Sequence, residues 1–123
     1  MVKSSKALLD TNFLLSIVRL RVRAFEEMKL LGIKEFYVLS GSLEELEKLS
    51  ENKGIERELN VVKELMKKKG VITLKSTGAV DDELMQKSKE FVIATGDSAL
   101  RKRIKSFAGT SMYIRNKAFI EME

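Results

Sequence analysis

Four carboxylates stand where this sequence could assemble chemistry. Asp10 closes the run Ala7-Leu8-Leu9-Asp10-Thr11-Asn12, Glu45 lies in Ser42-Leu43-Glu44-Glu45-Leu46, Asp81 in Val80-Asp81-Asp82-Glu83-Leu84, and Asp97 in Ala94-Thr95-Gly96-Asp97-Ser98. Acids gathered at one place repel one another, and their pKa values rise unless a divalent cation neutralises them. Magnesium or manganese resolves the crowding, lowers the pKa of bound water and clamps phosphoryl oxygens. Phosphodiester hydrolysis is the reaction class that uses such equipment best.

Missing residue types narrow the field. The chain has no Cys and no His, which removes thiolate nucleophiles, disulfides, thiolate zinc sites and the commonest general base. Oxygen chemistry remains: carboxylates with hard cations, or a Ser/Thr/Lys arrangement. Each acid also has a plain structural reading. Asp10, Asp81 and Asp97 could cap helices or complement a dipole in the first turn, and Ser42 with Glu45 spells a capping box. One at a time, capping explains each of them. It does not require acids at one edge of a sheet after the first, second and fourth strands, with Asn12 and Thr95 beside them.

The elements that must position these groups follow from periodicity. Short apolar runs, 7–9, 36–39, 71–74, 91–94 and 111–114, alternate with segments of helical period, the pattern of an α/β domain. The first four are nearly continuous in apolar character, as strands covered on both faces should be, and the fifth is expected at an edge. Apolar stripes run through Leu14, Val18, Val22, Phe25 and Met28, through Leu59, Val62 and Leu65, and through Leu100, Ile104 and Phe107. Each connection is long enough for a crossover helix, so a mostly parallel sheet is expected. In such a sheet ligands bind beyond the carboxyl ends of the strands, where Asp10 and Asp97 fall.

Length and charge set the outer bounds. The 123 residues suffice for one hydrophobic core, so 1–123 is read as a single domain. With 44% hydrophobic and 33% charged residues the composition is that of a globular chain. No apolar run approaches the roughly 20 residues of a spanning helix. The opening Met1-Val2-Lys3 leads towards a strand-like run rather than a secretory apolar region, so the expected address is cytoplasmic, with no membrane partner. A net charge of +5 is compatible with a polyanionic partner, although any one basic cluster is explained as well by a solvated helix face.

The four segments quoted above, extended through Phe13-Leu14 and Val92-Ile93 to Leu100-Arg101, resemble those of PIN-domain nucleases and run in that family's order over nearly the whole chain. The resemblance implies a three-layer α/β/α domain around a five-stranded parallel sheet of order 3-2-1-4-5. It implies a ribonuclease, an endonuclease by expectation, using Mg2+ or Mn2+. Asp10, Glu45, Asp81 and Asp97 match the family's acidic catalytic and metal-ligating positions, and Asn12 and Thr95 its supporting polar ones. Asp82 rivals Asp81, which is preferred for its spacing to Leu84. Gly96 stands where relatives often carry Asn. The closing Tyr113-Ile114-Arg115-Asn116-Lys117 and the doubled acid Asp81-Asp82 resemble the ribosome-biogenesis branch, for rRNA processing with assembly partners, more than the toxin branch with its antitoxins. Relatives are often homodimers. Arg101, Lys102, Arg103 and Lys105, just after Asp97, are expected to hold RNA phosphates.

Competing readings lack their signatures. A phosphoacceptor receiver needs an acidic pair after the first strand and an Asp ending the third, where this chain has Lys75-Ser76; an Asp-x-Asp phosphatase fails at Asn12. No Gly-x-Gly-x-x-Gly or Walker pattern is present. The remaining alternative is an inactive PIN-like scaffold or RNA-binding subunit.

Overall fold

The computed structural model describes residues 4–123, without the side chains of residues 52 and 53. The opening residues 1–3, read above as lacking a secretory region, lie outside the described residues. The elements in chain order are β1 (Lys6–Leu9), α1 (Thr11–Leu20), α2 (Ala24–Leu30), β2 (Glu35–Leu39), α3 (Ser40–Lys53), α4 (Glu56–Lys68), β3 (Ile72–Leu74), α5 (Val80–Lys87), β4 (Val92–Ala94), α6 (Ser98–Ser106), β5 (Ser111–Arg115) and β6 (Phe119–Met122). They form one sheet of order β3-β2-β1-β4-β5-β6, parallel except for β6.

Alternation along the central strands divides the core in two. Ala7 and Leu9, Phe36 and Val38, and Val92 and Ala94 face one way and pack with α1, α2, α3 and α4 residues such as Phe13, Phe25, Leu46 and Val62. Leu8, Leu39 and Ile93 face the other way and pack with Leu84 of α5 and with Leu100 and Ile104 of α6. A side-chain period of two therefore yields three layers, α/β/α, with the apolar strands buried on both faces.

Three expectations are corrected. The sheet has six strands rather than five, because β5 turns back at Asn116 and Lys117, whose φ values of 54° and 57° form a tight hairpin. Two successive left-handed residues match the twist of paired antiparallel strands, and Ala118 N–H donates to the Arg115 carbonyl across the turn at 3.1 Å. The strand β6, not β5, is thus the edge. At the other edge β3 is only three residues long, with Ile72 47% exposed, so it is not a strand covered on both faces. Finally, the stripe from Leu14 to Met28 is not one helix. Arg21 adopts φ 55°, its N–H donating to the Ile17 carbonyl, and the chain restarts as α2 at Ala24.

Order β2-β1-β4 places the topological switch point between β1 and β4, where neighbouring chains leave the sheet in opposite directions. The Asp10 N–H donates to the Ala94 carbonyl across that gap at 2.9 Å. Residues 84 positions apart in the chain, Asp10 and Ala94, are thereby held side by side, and the segments that follow them, 10–12 and 95–97, form one rim.

Candidate active site

Asp10 is the base of that rim. It ends β1 and caps α1, with Oδ1 accepting from the Thr11 N–H at 2.8 Å and Oδ2 accepting from the Thr95 hydroxyl at 2.8 Å. Only 6% of the residue is exposed. Both oxygens are engaged, so the carboxyl has a single orientation. Burial pushes its pKa above the ordinary 3.8; the bonds from Thr95 and Thr11 oppose this, and Asp81 and Asp97 add repulsion. Thr95, itself buried, ties the two sides together, because its hydroxyl oxygen also accepts from the Asp97 N–H at 3.2 Å.

Glu45 joins from α3. Ser42 and Glu45 do not form the capping box their spacing suggests: α3 begins at Ser40, capped by Leu39 without a side-chain bond, so Ser42 already lies inside the helix. Released from that duty, Glu45 is largely exposed, yet partial desolvation of its carboxyl, followed by repulsion from Asp10 and Asp81, pushes its pKa above the ordinary 4.5. The Thr11 hydroxyl meanwhile donates to the Ser42 carbonyl at 3.2 Å, binding α3 to the start of α1. On the same side of α3, three residues before Glu45, the buried Ser42 hydroxyl has no hydrogen-bond partner.

Asp81 and Asp82 diverge. Asp81 is the second residue of α5 and takes no part in a cap, since Ala79 occupies that position. Its charge acts on both Asp10 and Glu45. Asp82 turns towards α6, with Oδ1 4.0 Å from Arg103 Nη2.

Asp97 is the N-cap of α6. Its Oδ1 caps α6, accepting from the Ala99 and Leu100 N–H groups at 3.0 and 3.2 Å, while its charge still reaches Asp10. Asp97→Ala should therefore destabilise the protein by about 1 kcal/mol, the usual worth of a lost N-cap, whereas Asp97→Asn, which keeps an acceptor oxygen, should lose only a fraction of that. Chemical denaturation of the two variants measures the difference; equal losses would mean the cap is not the main contact. Asn12 Oδ1 accepts from the Gly96 N–H at 3.0 Å. A Cβ at Gly96 would meet nothing closer than Asn12 Oδ1 at 3.6 Å, so glycine is not sterically required there.

The basic residues of α6 do not share one fate. Arg101 is taken up internally: its Nε pairs with Glu123 at 3.0 Å, its Nη1 donates to the Thr95 carbonyl at 3.3 Å, and its guanidinium lies 4.0 Å from the Tyr113 ring centre. Two of the five guanidinium donors are thus engaged within the protein. Lys102, Arg103 and Lys105 are exposed.

Two residues at the rim were not singled out from sequence. Glu83 is 5% exposed and its Oε1 accepts from the Thr77 and Gly78 N–H groups at 2.5 and 3.1 Å. Ser76 exchanges hydrogen bonds with the start of α3. An acid five residues after the Gly of a Thr-Gly turn was the available signal for Glu83; nothing local signalled Ser76.

The donor set is all oxygen, suited to a hard cation, and the partnerless Ser42 hydroxyl is a buried polar atom open to a further ligand. Among the described residues no three acidic groups stand together as a ready-made ligand cluster. Magnesium does not need one, since it commonly keeps several waters and uses one or two carboxylates.

A mostly parallel sheet with Asp10 and Asp97 joined through Thr95 at its switch point defines an α/β domain with an acidic rim. Residues 7–117 match the family of PIN-like domains, and the chain belongs to that family. Its fold is similar to that of the PIN domain endonuclease Utp24, with a TM-score of 0.74 over 94% of this chain and 90% of that one, at 22% identity. No curated protein sequence matches the chain.

Proposed function

We propose that this protein is a metal-dependent ribonuclease, an endonuclease, whose catalytic and metal-ligating residues are Asp10, Glu45, Asp81 and Asp97, with Asn12 and Thr95 in support. The observation that carries the reading is the rim at the switch point: the Thr95 hydroxyl fixes Asp10 and also holds the Asp97 N–H, while the charges of Asp81 and Asp97 help raise the Asp10 pKa and those of Asp10 and Asp81 that of Glu45. Capping alone gives no reason for acids from four segments to lie within electrostatic reach of one another.

Asp10, oriented by Thr11 and Thr95, is the fixed anchor. Around it Glu45 and Asp81 are exposed and Asp97 is half-buried, so the site opens as a rim rather than a pocket and suits a polymer lying across it. A bound Mg2+ or Mn2+, held by Asp10 with Glu45, Asp81 and Asp97, would supply an acidified water and neutralise charge on the phosphodiester undergoing attack. Asn12 and Thr95 hold the chain around Asp97 through the Gly96 and Asp97 N–H groups, so that its carboxylate stays aimed while Oδ1 caps α6. Lys102, Arg103 and Lys105 are exposed to phosphate contacts, which carry no sequence information and weaken with salt. The endonuclease activity is supported by the likeness to Utp24, which is a PIN domain endonuclease. Residues 1–123 act as one domain in the cytoplasm, and rRNA processing is the setting the closing segment favours; among the described residues no helix is long and apolar enough to cross a membrane.

The test is an internally labelled RNA, offered single-stranded and structured, incubated with the protein in Mn2+, in Mg2+ and in chelator. Cleavage within the chain that chelator stops and added Mn2+ restores is expected. RNA binding without cleavage in either metal would identify an inactive RNA-binding subunit instead.

A further inference from the structure

The stretch from Lys75 to Ala79 joins the weakest strand of the sheet to the helix that carries Asp81. β3 is a three-residue edge strand with an exposed Ile72, and its parallel pairing with β2, Leu74 opposite Leu39, brings Ser76 beside the start of α3. Side chains then fix that approach. The Ser76 hydroxyl oxygen accepts from the Gly41 N–H at 2.7 Å, and the Ser76 N–H donates to the Ser40 hydroxyl oxygen at 2.9 Å. One residue on, Glu83 reaches back from α5 to take the Thr77 and Gly78 N–H groups. The two helices also meet directly: a Cβ at Gly41 would lie 2.8 Å from Val80 Cγ2 and 2.9 Å from Ser76 Oγ, so only glycine permits this approach.

We propose that Ser76, Ser40 and Glu83 are positioning residues that clamp the start of α3 to the start of α5 and so set Glu45 against Asp81. The inference rests on the reading of those two acids as parts of the catalytic rim. Glu45 stands four residues beyond Gly41, a little over one helical turn, and Asp81 directly after Val80, so each acid is within about one turn of the clamped contact. A shift at that contact moves the backbone that carries both carboxylates. The bland account is that these bonds only satisfy the orphan N–H groups of a helix start and a turn. It explains why acceptors are present, and the β2–β3 register explains why the two segments are neighbours, but neither requires bonds exchanged in both directions and backed by Glu83 from α5 itself.

The experiment uses the full chain with Ser76→Ala and, separately, Ser40→Ala, alongside Ile120→Val, a mild core lesion in β6 at the opposite edge of the sheet. Mn2+ affinity is read from the free-ion electron paramagnetic resonance signal, RNA cleavage as kcat and KM, and folding as Tm. Removing an orienting residue typically weakens metal binding or activity by about 10–100-fold. The expected result is a loss of that order in Mn2+ affinity and kcat for both serine variants, with KM for RNA unchanged and with Ile120→Val retaining wild-type values at a comparable Tm. Serine variants that melt lower yet bind Mn2+ and turn over like wild type would overturn the proposal and leave a simple cap. Unsubstituted protein that neither takes up Mn2+ nor cleaves would overturn the reading of the rim, and the clamp's role with it; that failure is recognised in wild type, not in the variants.

Discussion

Asp10→Asn is expected to lower Mn2+-supported RNA cleavage by at least about 10²–10³-fold, the usual cost of removing one preorganised electrostatic group from a reacting centre. The substitution is nearly isosteric. Asn keeps an Oδ1 acceptor for the Thr11 N–H, and the Thr95 hydroxyl can accept where it formerly donated. What disappears is the charge. Repulsion from Asp81 and Asp97 disappears with it, so the metal-free variant should melt within a few degrees of wild type or above it. Cleavage of equal rate in both proteins, purified identically, would point to a contaminating nuclease. A large drop in Tm for the metal-free variant would instead assign Asp10 to folding, and the loss of activity would then say nothing about chemistry.

Mn2+ at about a hundredfold above its Kd should stabilise the native protein by about 2.7 kcal/mol, which for a domain of this size raises Tm by roughly 8–14 °C. The gain depends on pH in a definite direction. Asp10 and Glu45 have native pKa values above their ordinary 3.8 and 4.5, so the metal-free native state binds protons more tightly than the unfolded chain does. For these two groups, stability is therefore greatest below those ordinary values and declines as pH rises through the window up to the raised ones. A cation needs the same carboxylates ionised and competes with their protons. The difference in Tm between Mn2+ and chelator should accordingly be near zero at pH 4 and reach its full size at neutral pH. Calorimetry at several pH values measures it. A flat difference across that range, or one that survives intact in Asp10→Asn, would place the cation elsewhere.

The parts of this molecule written as local patterns were legible before any coordinates. Leu8-Leu9-Asp10 reads as a strand ending in an acid because alternating burial on two faces leaves an apolar run with nowhere to go but the sheet interior. Thr95 and Asp97 are paired by a bond spanning two residues, which short-range sequence can encode. Other features had no local sign. Ser42-Leu43-Glu44-Glu45 is a faithful capping box by spacing, yet the cap falls three residues earlier, at Leu39, and Ser76, from a distant segment, satisfies the Gly41 N–H. Arg101 looked like a free cation on a helix and is instead bound to Glu123 and Thr95, partners 22 and 6 residues away. The Asn116-Lys117 turn escaped notice since neither residue is glycine, the usual mark of a tight hairpin.

By itself, then, the order of residue types determined the α/β class, the parallel core and the candidate acids, since burial periodicity and strand-end polarity are properties of neighbours in the chain. Which acids face one another was decided only in three dimensions. The charge of Asp81 acts on Asp10 and Glu45 while Asp82 lies towards Arg103, and the direction each of these adjacent aspartates takes is imposed by the helix start that carries them. Electrostatic contact depends on distance through space, and the distances here are set by hydrogen bonds joining residues up to 85 positions apart.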